Sequence, residues 1–371
     1  MQTETKTILK GQVYRIYPNK SQKTLINKHF GANRWVWNFC LNLNKERYKN
    51  KEPRMSRFDL QKLLPPLKKQ EETKWLKEVC AISLIHTIMH LEESYQKLFK
   101  KLSKSIKFKS KYKKQSYTTN NKIKINQNKI HLPKMQEGIK IKLHRPIEGE
   151  IRKATVSRVD RKYYVTLLIK QEYTPHPKTG NTIGIDVGIK DLAVLSSGEK
   201  YKNPKALKKY SKRIIYHQRQ MSKLYKKGKA QSNQYKKHKL MKSKFESKVT
   251  RIRHQHQHEV SAAIVKNNDV IAIEDLAIKN MMKNRKLAKA LADASMSSFI
   301  DKVRYKAEFN DRDIKRVGRF FPSSKKCHHC GTINKSLTLK DRTWKCINVE
   351  CGKTLDRDKN AAINIHQEAL S

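Results

Sequence analysis

Apolar positions along this chain follow two periods, and the switches between them outline its organisation. The opening Gly11-Gln12-Val13-Tyr14-Arg15-Ile16-Tyr17-Pro18 alternates as a strand does and stops at a proline. From about residue 21 to 104 the spacing turns helical. Trp35, Trp37, Phe39 and Leu41, then Leu84, Ile88, Leu91, Tyr95 and Leu98, supply the apolar faces of a bundle, read as core before base-stacking surface. Between about residues 106 and 171 the period returns to two. Ile123-Lys124-Ile125, Ile139-Lys140-Ile141-Lys142-Leu143 and Tyr163-Tyr164-Val165-Thr166-Leu167-Leu168-Ile169 predict a sheet or small barrel with one cationic face. The opening strand completes it, which makes the helical bundle an insertion. The stretch Lys113-Lys114-Gln115-Ser116-Tyr117-Thr118-Thr119-Asn120 carries side-chain types that contact phosphates and base edges and that equally make up a polar turn.

A different pattern begins near Thr182. A strand, a Gly-containing turn and a second strand span residues 183–195; long basic helices follow over about 204–226 and 232–266, hinged at Gly228, and then a strand ending at Glu274. Strand–helix alternation with acids at strand ends suggests a ribonuclease-H-like α/β fold. His254, His256 and His258 alternate along the second helix with no acid on a shared face, so contact with the core or with phosphates is expected there, not metal binding.

Three carboxylates stand where a lone charge is costly. Asp186 lies in Ile183-Gly184-Ile185-Asp186-Val187-Gly188-Ile189 and Glu274 ends Val270-Ile271-Ala272-Ile273-Glu274, both at the mouths of apolar strands, where an unpaired buried charge costs several kcal/mol, roughly. Asp358 opens a helix within Asp356-Arg357-Asp358-Lys359-Asn360-Ala361-Ala362-Ile363-Asn364-Ile365. Asp356 is the reserve acid, with helix capping as its expected role. Carboxylates without a His and Cys set suit Mg²⁺ or Mn²⁺, and two such ions about 4 Å apart promote phosphodiester hydrolysis. The rival reading is a sugar-kinase or actin-like ATPase, whose first phosphate strand also reads Gly-Ile-Asp-x-Gly. It needs later Gly-rich turns, and the 12 glycines form no such clusters.

Cys327-x2-Cys330 and Cys346-x4-Cys351, each followed by Gly, have four-thiolate spacing and predict one structural Zn²⁺. Two disulfides are the alternative, disfavoured by a basic composition and the lack of an opening apolar signal segment. Cys40 and Cys80 sit among apolar neighbours as inert buried thiols.

Charge changes the picture most. With 84 Lys and Arg against 32 Asp and Glu, a formal charge of +52 calls for a polyanion, and its spread over the whole length argues for nucleic acid in an extended channel. No stretch approaches the ~18 apolar residues of a membrane span. A reducing cytosol is the expected location.

Gly184-Ile185-Asp186-Val187-Gly188, Ile273-Glu274-Asp275-Leu276, Pro322-Ser323-Ser324-Lys325-x-Cys327-x2-Cys330-Gly331 and the Asp356–Ile365 run, in this order behind Asn33-Arg34-Trp35-Val36-Trp37-Asn38, resemble the TnpB family of transposon-encoded relatives of type V CRISPR effectors. The resemblance covers nearly the whole chain. It implies an RNA-guided, divalent-metal-dependent DNA endonuclease of an insertion sequence, cutting double-stranded target DNA beside a short transposon-adjacent motif. The guide RNA would derive from the transposon end, and no obligate protein partner is expected. By position, Asp186, Glu274 and Asp358 become the Mg²⁺ ligands and Cys327, Cys330, Cys346 and Cys351 the Zn²⁺ ligands. Gln115, Tyr117, Thr118 and Thr119 carry over as DNA-contacting residues.

The implied architecture is multidomain α+β and α/β. A wedge β-barrel (residues 1–18 and 106–174) holds an inserted helical recognition lobe (19–105). A RuvC nuclease of ribonuclease-H-like fold (175–326 and 352–371), with a lid at about 279–293, holds the inserted zinc-binding segment (327–351). Asn310, where the family often has Gly, is expected to take a left-handed turn. Two other functions use much the same parts: a metal-dependent transposase or recombinase acting without a guide, and a nuclease-inactive RNA-guided repressor.

Overall fold

The computed structural model describes residues 4–338 and 340–371. Backbone contacts divide the chain into two units, Thr7–Glu172 and, with the residues before Thr7, Tyr173–Ser371.

In the first unit, β1 (Lys6–Tyr17) leads into α1 (Lys20–Lys49), the short helices α2 (Arg57–Lys62) and α3 (Leu64–Lys69), a 3₁₀ segment (Glu71–Glu78) and α4 (Ala81–Phe99). Six strands follow: β2 (Gln115–Thr119), β3 (Lys124–Asn126), β4 (Lys129–His131), β5 (Ile139–Lys142), β6 (Glu150–Val159) and β7 (Lys162–Tyr173). Helix α1 starts cleanly because Asn19 and Gln22 exchange side-chain-to-backbone bonds as a capping box. The strands form one sheet in the order β2-β6-β7-β1-β5-β4-β3. It curls round a single core in which Tyr14, Ile16, Ile141, Val156, Val165 and Leu167 meet Ile26 and Phe30 of α1. A second core under the helices joins Val36, Leu41, Leu84, Ile88 and Leu91, with Trp35 and Phe39 packed against it. The segment read as a loop, either contacting nucleic acid or a plain polar turn, instead contains strand β2, paired antiparallel with β6.

The second unit opens with β8 (Thr182–Asp186), β9 (Asp191–Leu195) and β10 (Lys200–Lys202), then the long helices α5 (Ala206–Leu224) and α6 (Asn233–Asn267). It continues through β11 (Val270–Glu274), α7 (Ile278–Met281), α8 (Arg285–Ala294), α9 (Met296–Phe309), β12 (Asp313–Val317), β13 (Thr343–Lys345), β14 (Thr354–Asp356) and α10 (Arg357–Leu370). The sheet order is β10-β9-β8-β11-β12, with β8, β11 and β12 parallel and β9 and β10 turned back as hairpins. Interior strands covered by helices must be apolar throughout. Accordingly Ile185, Ile271 and Ile273 share a core with Val260 and Ile264 of α6 and Phe299 and Val303 of α9.

One local expectation is corrected. Asn310 is not left-handed, having φ −106°, and the left-handed residue is Asp311 at φ 52°. Asn310 is buried instead. Its Oδ1 accepts from the Tyr173 hydroxyl at 2.9 Å and the His176 amide at 3.1 Å, so it ties the end of α9 to the segment entering the sheet.

Candidate nuclease and metal sites

The parallel register pairs Ile185 with Ile273. Asp186 and Glu274 therefore end neighbouring strands at the carboxyl edge of the sheet, the edge where open α/β folds bind ligands. Asp358 arrives on α10, in the first turn after the cap Asp356, whose carboxylate accepts from the Lys359 amide at 2.9 Å. Helix α10 lies directly on β8 because Gly184 has no side chain: a Cβ there would be 2.7 Å from Cβ and N of His366 and still closer to the Ala362 carbonyl. The bare strand at Gly184 thus brings Asp358 within electrostatic reach of Asp186.

The charges at this edge oppose one another. Burial, then Asp358 and then Glu274, push the Asp186 carboxyl up to about 7, against the opposing pull of Arg357 and Arg342. Enclosure by the fold is nearly complete around that carboxyl, yet the residue keeps an accessible face. Burial, helped by Asp275, also raises Glu274. Nearby cations pair with acids at this edge, one of them Asp358 itself: Arg342 Nη1 is 3.5 Å from Asp358, Lys200 Nζ 2.6 Å from Asp356 and Arg319 Nη2 2.6 Å from Asp275. An all-oxygen donor set with a carboxyl this reluctant to ionise fits a hard divalent cation.

The thiols form a tighter group. Among the described residues, Cys327, Cys330, Cys346 and Cys351 are the set whose ligand atoms all lie within 4.8 Å of one another, so the three carboxylates are neighbours without being so closely drawn in. Sγ–Sγ separations are 3.8 Å for Cys327–Cys351 and 3.5 Å for Cys330–Cys346. A disulfide needs about 2.05 Å, whereas a tetrahedron of metal–sulfur bonds near 2.3 Å has edges of about 3.8 Å. All four cysteines are free, and burial pushes the Cys346 thiol up to about 12, so a cation is what would hold it as thiolate. The cluster is a site for a structural metal such as zinc. Trp344, 7% exposed, packs into the same small core.

Two asparagines join this metal site to α10. Asn360 Oδ1 accepts from the amide and Nδ1 of His328, at 3.0 and 2.9 Å, which places the proton of that ring on Nδ1. Its Nδ2 donates to the Lys326 carbonyl at 2.8 Å, and Asn364, one turn later, donates to the Ser323 and Lys326 carbonyls at 2.7 and 2.6 Å. Both are 1% exposed. The sequence held a hint, two amides at i and i+4 on an otherwise apolar face, but not their partners. Asp293 was equally hidden. Its carboxylate caps α5 by accepting from the amides of Leu207 and Lys208, at 3.0 and 3.2 Å.

The four residues expected to contact DNA are buried in β2. Gln115 accepts from Arg34 Nη1 at 2.8 Å, Tyr117 stacks on His29 with ring centroids 4.5 Å apart, Thr118 and Thr155 hydroxyls are 2.9 Å apart, and Thr119 faces Cys80. Polar side chains turn inward here because α1 and α4 cover the strand and supply partners.

A family model described as "Probable transposase" (OrfB_IS605) matches residues 155–285, one for a Cas12f1-like TNB domain matches 297–365, and a helix-turn-helix domain of OrfB_IS605 matches 7–53. A Streptomyces pristinaespiralis protein named "Putative RNA-guided DNA endonuclease" is 35% identical over 364 residues, covering 96% of this chain and 89% of that one. The chain belongs to the TnpB (OrfB) family. A second TnpB-family relative, InsQ of Escherichia coli strain K12, is 26% identical over 95% of this chain and 90% of its own. A cryo-EM structure of a Cas12f1–sgRNA–target DNA complex superposes with a TM-score of 0.51, covering 97% and 99% of the two chains at 14% identity, a likeness of fold alone. No described helix of this TnpB-family chain is long and apolar enough to cross a membrane.

Proposed function

We infer that the protein is the RNA-guided DNA endonuclease of an insertion sequence, with Asp186, Glu274 and Asp358 as its catalytic carboxylates. One observation carries the assignment: Asp186 and Glu274 end adjacent parallel strands while Gly184 seats the helix bearing Asp358 against the first of them. The three would hold Mg²⁺ or Mn²⁺, two ions in this reading. When bound, such ions supply an activated water and stabilise the leaving oxygen. The chain's own part is positional. Burial keeps Asp186 fixed and poorly solvated, the helix start favours the negative charge of Asp358, and Arg342 and Lys200 restrain the acids at the start of α10. Sequence choice falls to base pairing with the guide, consistent with a +52 charge that neutralises phosphates without reading bases.

In this reading residues 175–326 and 352–371 form a RuvC nuclease of ribonuclease-H-like fold, with α7 and α8 in its lid, and 327–351 its zinc-binding segment. The curled sheet is the wedge and its inserted helices the recognition lobe for a short transposon-adjacent motif. There β2 acts by holding Arg34 through Gln115 instead of by touching DNA with its buried side chains. The guide RNA comes from the transposon end. The test is to purify the protein from cells expressing its downstream transposon end, sequence co-purifying RNA, and assay Mg²⁺-dependent cutting of a matching plasmid library beside Asp186→Asn. Guide-matched cutting lost in the variant is expected; cutting indifferent to RNA, as a guide-independent transposase would give, refutes the proposal.

A further inference from the structure

Strand β12 runs parallel to β11, with Val317 in register with Glu274, so the chain leaving β12 emerges at the edge that carries the candidate catalytic acids. Two phenylalanines follow. Phe321 is half-buried against the core of Ala272, Val317 and Ile365, whereas its neighbour Phe320 is 94% exposed. This exposure is not that of a loose loop. Arg319 Nη2 holds Asp275 at 2.6 Å, the Phe321 amide closes a turn onto the Gly318 carbonyl at 3.1 Å, and Asn364 grips the Ser323 carbonyl at 2.7 Å. A backbone tied at three points thus presents one aromatic ring to solvent, next in sequence to the arginine that pairs with Asp275. Lys315 and Arg316 are exposed on the same strand. Glu274, Asp275, Asp301, Arg304 and Arg316 border a cleft of about 150 Å³ at this edge of the sheet. Cations for phosphates next to a free aromatic face make up the chemistry that holds single-stranded nucleic acid.

We propose that Phe320 stacks an unpaired base of the DNA strand entering the nuclease site, holding its backbone against the carboxylates. This rests on the nuclease-site assignment above. The test uses the guide-loaded protein and target DNA carrying 2-aminopurine at successive positions around the cut, with Asp186→Asn keeping the strand whole for fluorescence. One position should be quenched on binding, and Phe320→Ala should abolish that quenching. On intact protein, Phe320→Ala should raise KM for the DNA roughly tenfold or more, as expected for one lost base–aromatic stack, with kcat and melting temperature little changed. Phe320→Trp should restore both readouts. Unaltered KM and quenching in Phe320→Ala, with Asp186→Asn inactive, overturn the stacking role alone. Cleavage that survives Asp186→Asn overturns the site on which it rests.

Discussion

Replacing Gly184 with alanine tests how Asp358 is brought to Asp186. In a strand, Gly→Ala removes unfolded-state freedom and by itself stabilises by about 0.4–1 kcal/mol. Any loss must then come from contact, and the contact is with backbone. The new Cβ would sit 2.7 Å from Cβ and N of His366 and nearer still to the Ala362 carbonyl oxygen. Non-bonded carbons settle at about 3.5–4.0 Å, so α10 must back away from β8 by about 1 Å. Overpacking of this kind costs about 1–3 kcal/mol, and a 1 Å misplacement of a catalytic group costs on the order of 10²-fold in rate. The expected result for guide-loaded Gly184→Ala is single-turnover plasmid cleavage reduced about a hundredfold, a melting temperature a few degrees lower and unchanged guide-RNA affinity, the rate loss taken from misplacement and the melting shift from ΔΔG. Wild-type cleavage with an unshifted melting curve would refute the reasoning, since α10 would then not need the bare strand.

Three further outcomes follow from the sites. Asn360→Ala strips the amide and the ring Nδ1 of His328 of their shared acceptor and leaves part-buried groups unsatisfied, so it should destabilise by about 1–3 kcal/mol in denaturant titrations; an unchanged midpoint refutes the clamp. Cys351→Ser should lower bound zinc, measured by a colorimetric chelator after unfolding, from one equivalent towards none, and full retention would contradict the four-thiol site. In the metal-free protein Asp186 titrates at about 7 in the fold and near 3.9 in the unfolded chain, so the fold binds the extra proton and this group's contribution declines as pH rises from about 4 to 7. Asp186→Asn should therefore gain melting temperature relative to the parent at pH 8 and not at pH 4, and the opposite ordering refutes the shift; Mg²⁺ should stabilise the parent more than the variant.

Much of this could be read locally. The acids ending apolar strands, the cysteine spacing and the two long helices are patterns within a few turns or residues, and backbone periodicity expresses them wherever the chain lies. The helices expected at 204–226 and 232–266 are Ala206–Leu224 and Asn233–Asn267. What periodicity does not contain is the identity of the partner across space. Gln115-Ser116-Tyr117-Thr118-Thr119 looks like a polar turn until α1 and α4 cover it and give its side chains His29, Arg34 and Cys80 as neighbours. Asp311 and not Asn310 takes the left-handed turn, and Tyr173 and His176, far back in the chain, donate to the side-chain oxygen of Asn310. Asn360 and Asn364 hint at a role only by their i, i+4 spacing; their partners are the carbonyls and ring atoms of residues 323–328. Phe320 and Phe321 are identical letters, and only the core reached by one of them separates a buried anchor from an exposed ring. The pattern of the chain thus determined which faces are buried and which residue types could hold metal. Tertiary packing alone decided which distant groups satisfy them, because a hydrogen bond or a steric contact depends on separation in space and not along the sequence.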